Sequence, residues 1–268
     1  ANGKLPEDSG QSFRLRGIRF DESAFIETER LEALARPYID EVVTFADIND
    51  LVDAINAIYR ERGQITARAM VPPQRIQEGI LRIRLVEGRA GNIELRGVGY
   101  TADAFLRNAV GVERGDVIDV PALRSRIRTV NRLTPLQLGA QLEAGEDFGE
   151  SDLLVGVNEP ARHVLQAFAD NNGSESTGEA QYGVYGIWNA PLRRADQLSL
   201  YVVDSAGATS ASMTYALPVR NAGAKVSLTL AGAQTEIVGG DFEPLDITGD
   251  SAQASIEYLA PLRAWART

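Results

Sequence analysis

The chain has 268 residues, 44% of them hydrophobic and 24% charged, a balance that fits a folded protein with more than one domain. A formal net charge of −10 argues against a nucleic-acid partner, since no basic stripe is present to release counterions. With no cysteine and one histidine, His163, there is no disulfide, no thiolate metal site and no cysteine nucleophile.

No stretch reaches the roughly 20 apolar residues that a membrane helix needs. The opening "ANGKLPEDSGQS" is polar, without the apolar run of a signal peptide, and reads as the start of a mature or trimmed chain. Residues 13–20, "FRLRGIRF", alternate as a strand. A helical stretch is expected from Ser23 to about Arg36. A second helix opens at Thr44, with Asp47 three residues on as its capping-box partner. Phe45, Ile48, Val52, Ile55 and Tyr59 recur at helical spacing along that helix and predict a buried face. Gly63 falls where a glycine ends a helix. Two strands follow, "QITARAMV" and "ILRIRLVEG", separated by Pro72–Pro73 and Glu78–Gly79.

The order strand, helix, helix, strand, strand then repeats. "NIELRGV" opens the second unit, its Leu95–Arg96–Gly97–Val98 echoing Leu15–Arg16–Gly17–Ile18. One helix is expected from Thr101, as cap, to Val110. The next starts near Asp119, with Pro121 in its first turn and Leu123, Ile127 and Val130 on one side. Strands at Leu136–Leu142 and Leu153–Asn158 close it. Leu81, Ile83, Leu85 and Glu87 match Leu153, Val155, Val157 and Glu159, so two tandem α+β modules of about 75 residues are expected.

Of the 64 charged residues, 46 fall in residues 1–160 and 18 beyond, which puts a boundary near Asn158–Ala161. Six alternating segments follow, at about 162–169, 179–189, 196–205, 209–217, 223–232 and 250–260. Ser212 and Thr214 share one face, opposite Met213, Tyr215 and Leu217; Val226, Leu228 and Leu230 are set against Lys225, Ser227 and Thr229. "NAPLRR" (189–194), "ALPVRN" (216–221) and "LAPLRA" (259–264) are short, similar, basic turns. The other connections, "DNNGSESTG" and "AQTEIVGGDFEPLDITGD", are longer and acidic. That asymmetry is the pattern of a transmembrane β-barrel, and Tyr182 and Trp188, six residues apart on one face, suit its aromatic borders. A β-sandwich is the alternative, in which the apolar faces meet a second sheet. Six strands are fewer than the roughly eight of the smallest bacterial barrels. A chain that stops at "AWART" is therefore expected to be cut part-way through its barrel.

These stretches together resemble the outer-membrane transporter of two-partner secretion, the haemolysin secretion/activation family (TpsB), a branch of the Omp85 superfamily. The residues that carry the resemblance are "VPPQRIQEGILRIRLVEGRAGNIELRG" (71–97), "YRERGQITARA" (59–69) and "DNNGSESTGEAQYG" (170–183). It implies POTRA domains at 13–88 and 89–160 and the first six or so strands of a sixteen-stranded outer-membrane pore at 161–268. The fold class is thus α+β tandem POTRA domains followed by antiparallel all-β hairpins. POTRA domains lie in the periplasm, and the implied partners are a secreted TpsA-type client in extended form and outer-membrane lipid. The plug helix, its linker and the inward loop with the family's Arg motif have no counterpart in the sequence.

An exposed sheet edge offers unpaired N–H and C=O groups to an extended chain. As in POTRA domains generally, the expected edge is the strand of Leu136, Gln137, Leu138, Gly139, Ala140, Gln141 and Leu142, and the alternative is an edge protected by its neighbours. Proline at Leu138 or Ala140 is expected to remove a ladder bond. No catalytic, cofactor or metal site is expected: His163 has no second histidine, no G-x-S-x-G element occurs, and "GVGYTADAF" is a turn before a helix. The acidic run with Asp241, Glu243, Asp246 and Asp250 lacks EF-hand spacing. An Omp85-type assembly factor is the alternative function, and an adhesion module of β-sandwich repeats a more distant one. An unpaired apolar sheet in so short a chain is expected to self-associate.

Overall fold

The computed structural model describes residues 12–261. Contacts divide them into two compact units, one of residues up to 94 with 112–125 and 141–154, the other of 95–111, 126–140 and 155 onward.

The first α+β segment contains β1 (Ser12–Arg14), β2 (Gly17–Phe20), α1 (Thr28–Ala35), β3 (Val42–Thr44), α2 (Phe45–Glu61), β4 (Ala67–Met70) and β5 (Ile80–Glu87). The strand expected over 13–20 is broken in two. β1 pairs antiparallel with β3, a strand the alternation did not announce, and β2 pairs in parallel with β5. Between them Leu15 is fully buried, with its N–H donating to the Glu41 carbonyl and its own carbonyl accepting from Asp40. The first helix starts later than Ser23 for a local reason. The Ser23 hydroxyl accepts the N–H groups of Phe25 and Ile26, a turn that competes with helix, and α1 begins only at Thr28.

α2 follows its sequence signals closely. Thr44 and Asp47 form both halves of a capping box, and the N–H of Thr44 holds the Asp47 carboxyl below its ordinary range. Ile48, Val52, Ile55 and Tyr59 are buried, Phe45 half-buried, and Gly63 follows with φ +71°. Ile48, Val52, Ile55 and Tyr59 join Leu31, Leu81 and Ile83 in the core under the sheet, whose strand order is β2-β5-β4.

The second α+β segment runs β6 (Arg89–Arg96), α3 (Asp103–Val110), α4 (Val120–Leu133), β7 (Gln137–Ala144) and β8 (Glu150–Asn158), with strand order β6-β8-β7. Asp119 accepts the N–H of Ala122 and so caps α4. Thr101 does not cap α3. Its N–H and that of Tyr100 donate to the carboxylate of Glu159, at 3.0 and 2.7 Å, and the helix starts after Ala102. The matching residue of the first segment, Glu87, does the same work: it accepts from the Ser23 hydroxyl at 2.5 Å, the Ala24 N–H at 2.8 Å and the Tyr59 hydroxyl at 2.9 Å. In both segments an acid at the end of the last strand ties down the loop entering the first helix.

β9 (His163–Asp170), β10 (Gln181–Asn189), β11 (Gln197–Ser205), β12 (Ala208–Val219), β13 (Ala224–Glu236) and β14 (Thr248–Leu259) form one sheet in which each strand pairs antiparallel with the next. Register places Trp188, Leu198, Tyr215, Leu228 and Ile256 in one row across five strands, and Leu200, Met213 and Leu230 in the row beside it. Ser199, Thr214, Thr229 and Ser255 form a row on the other face, where the hydroxyls of Thr214 and Thr229 meet at 2.9 Å. The sheet is open: among the described residues β9 and β14 are its two edges.

At one end the turns are short, and Ala190, Arg193, Ala195, Arg220, Asn221 and Ala222 all have positive φ. The first of these turns is the most ordered by polar contacts. Asp196, fully buried, accepts the N–H groups of Leu192 and Arg194 and the Tyr215 hydroxyl. Arg193 donates its Nε to the Tyr100 carbonyl, and its own carbonyl accepts from Ala102. The third turn lies, beyond Pro261, outside the described residues. At the opposite end β11 and β12 are joined by Ala206–Gly207 alone, in line with the short gap between the segments expected at 196–205 and 209–217. The Gly207 N–H donates to the Thr177 carbonyl, so the long loop after β9 reaches this short connection.

Candidate functional site

Strand order makes β7 an edge of its three-stranded sheet. Of the seven residues singled out by sequence, Leu136 precedes the strand and is buried, as is Leu138; Gln137, Gly139, Ala140 and Gln141 are exposed, and Leu142 is half-buried. The side chains of Leu136 and Leu138 therefore anchor the strand, while its later half presents main chain to solvent.

One residue changes how this edge works, and composition did not single it out. Asn131, on α4, accepts the Leu138 N–H on Oδ1 at 2.7 Å and donates from Nδ2 to the Leu138 carbonyl at 2.9 Å. The N–H and C=O of one strand residue point to the same side, so Leu138 turns both away from β8. Proline at Leu138 would thus break this clamp, and only proline at Ala140 tests the open edge. One residue earlier in the alternation, the Leu136 N–H donates to the Thr134 hydroxyl.

The first α+β segment carries the same device. Asn56 on α2 accepts the Ala69 N–H at 2.7 Å and donates to the Ala69 carbonyl at 3.2 Å, on the edge strand β4. Each asparagine lies twelve residues after its helix cap, 56 after Thr44 and 131 after Asp119. That shared phase is the sequence signal that would have found them.

Elsewhere, His163 lies on the apolar face of the sheet with its ring 5.8 Å from Trp188. Among the described residues no group of three or more acidic or histidine side chains is placed to hold a metal, the run at Asp241–Asp250 included. The apolar face of the six-stranded sheet is open to solvent: Leu165 is 77% exposed, Tyr182 63% and Ile256 78%.

Two family profiles match the chain: the ShlB-type POTRA domain at residues 13–88, and the haemolysin secretion/activation protein ShlB/FhaC/HecB at 149–262. The heme/hemopexin transporter protein HuxB of Haemophilus influenzae strain 86-028NP is 26% identical over 238 residues, 87% of this chain and 42% of the relative. The outer membrane transporter CdiB of Escherichia coli is 27% identical over 202 residues, 75% of this chain and 33% of the relative. The chain therefore spans under half the length of these curated relatives. Among solved structures, CdiB from Escherichia coli superposes with a TM-score of 0.69 at 21% identity, over 95% of this chain and 48% of that one. CdiB from Acinetobacter baumannii gives 0.59 at 16% identity, over 98% and 54%. Both likenesses establish the fold. Both curated relatives named here are transporters.

Proposed function

We propose that this chain, a POTRA-containing member of the Omp85 superfamily of outer-membrane transporters related to HuxB and CdiB, receives an extended exported polypeptide and passes it toward a β-barrel pore. Its parts are a POTRA domain at 13–88, a second at 89–160, and at 161–268 the first strands of a barrel in the outer membrane. The POTRA domains face the periplasm, the apolar rows of the sheet face lipid and the hydroxyl rows face the pore. The client is a secreted protein, captured as an added strand.

The observation that carries this reading is the exposed second half of β7 at a sheet edge. Backbone pairing there is indifferent to most client side chains, which suits a protein that must hold an unfolded chain. Ala140→Pro removes one donor from that edge without touching α3 or α4. In surface plasmon resonance, the folded Ala140→Pro chain is expected to lose most of its binding to an unfolded exported polypeptide; unchanged binding overturns the reading. The sheet half is tested separately by light scattering. An oligomer that detergent dissociates supports a lipid-type face, and a monomer in plain buffer removes it.

A further inference from the structure

We propose that Asn131 sets the limit of the strand-addition site: it closes the edge of β7 at Leu138, so that an extended polypeptide pairs from Ala140 onward, and Asn56 closes the corresponding edge at β4. The inference rests on the strand-addition reading above and adds where on the chain it happens.

A carboxamide that accepts from N–H and donates to C=O of one residue reproduces what a neighbouring strand's peptide group would do. It fills one pairing position. On β4 that leaves little. The strand has four residues, and its edge-facing set is Ala67 and Ala69. Ala69 is held at both groups by Asn56, and the Ala67 N–H donates to the Gln64 carbonyl at 3.3 Å. β7 has eight residues. By the two-residue alternation of strand backbone, Ala140 and Leu142 turn the same way as Leu138, past the clamp. The exposed Gly139 and Ala140 put no bulk at the start of that stretch, which leaves room there for large β-branched residues of a client strand. The same helix position thus shuts one edge and trims the other.

Residue-resolved amide exchange on the full chain in detergent tests this, alone and with a labelled peptide of alternating threonine and valine flanked by lysines. Alone, Leu138 and Ala69 are expected to exchange at least about tenfold more slowly than Ala140 and Leu142. Asn131→Ala brings Leu138 to the Ala140 rate. Asn131→Asp, which still accepts the N–H, keeps it slow. With peptide, Ala140 and Leu142 become protected; Leu138 is protected by peptide only in Asn131→Ala, and Ala69 only in Asn56→Ala. Fast exchange at Leu138 in the native chain overturns the clamp. A peptide that binds by fluorescence anisotropy yet leaves Ala140 unprotected overturns the site while leaving client capture standing. A peptide that does not bind overturns strand addition, and the site with it.

Discussion

The two α+β segments are built to one plan and differ at the edge. In the first, the edge strand has four residues, and Asn56 and Gln64 hold both outward groups of Ala69 and the N–H of Ala67. In the second, an equivalent asparagine holds one residue of an eight-residue strand and leaves the rest open. The plan is shared, and strand length together with the extra bond from Gln64 separates a protected edge from an available one. A sheet edge is a hazard in any protein, and here the hazard is suppressed in one copy and kept in the other.

The largest expected effect tests whether the two cores are equivalent. Leu81→Ala and Leu153→Ala remove matching side chains, both almost wholly buried. Each is expected to cost about 2–5 kcal/mol in urea denaturation. A cost below about 1 kcal/mol at Leu153 would show that the second segment packs differently.

Next come the tying acids. Glu87 accepts from three donors and Glu159 from two main-chain donors. Glu87→Leu is expected to cost about 3 kcal/mol and Glu159→Leu somewhat less, by the value of hydrogen bonds to charged groups. Equal costs would mean that the hydroxyls of Ser23 and Tyr59 add nothing.

Each acid also has a nearby tyrosine, and these separate the segments by pH. Burial raises the Tyr59 hydroxyl well above its ordinary value, with Glu87 adding to the rise and the Ser23 hydrogen bond opposing it. Tyr100 is pushed up to about 12, first by burial and then by the Glu159 charge, against Arg162. Above pH about 10 the unfolded chain loses these protons while the folded chain keeps them, so stability is whole below pH 10 and falls as pH rises. Tyr100→Phe should flatten the loss between pH 10 and about 12. Tyr59→Phe should flatten it to higher pH and cost about 1 kcal/mol at neutrality. Thermal melts from pH 9 upward check both, and a slope unchanged by either substitution would rule that tyrosine out.

The smallest effect concerns Phe148, whose ring lies 5.8 Å from the Arg68 guanidinium and 5.4 Å from that of Arg84. Phe148→Ala is expected to cost about 1 kcal/mol at most, since the pairs are exposed. A larger loss would make the loop before β8 part of the support of the first segment.

Much of this was legible in the sequence because period and capping are local. Thr44 with Asp47, the glycine after α2, the match of Glu87 to Glu159 and the alternation of β9–β14 all survive in the structure. What escaped was decided between distant residues. The chain leaves β1 for β2 because two different partners, β3 and β5, claim its ends. Ser23 prefers its own loop to a helix. The edge at Leu136–Leu142 was legible as a strand, but its closure at Leu138 was not. An asparagine mid-helix has no local signature, and only counting from both caps brings Asn56 and Asn131 into register.

The short turn between β10 and β11 has a mechanical consequence. Residues Tyr100–Ala102 grip Arg193 by two bonds, and Asn189 holds the Arg162 and Ala161 carbonyls on the other side of the strand start. The Tyr100 hydroxyl reaches the Pro160 carbonyl as well. A tug on the loop before α3 is therefore shared among these three bonds of Tyr100 and Ala102, and enters the hairpin from its side. The covalent thread through Pro160 is spared from acting as a lone swivel, and whatever pulls on the helices also pulls on the sheet.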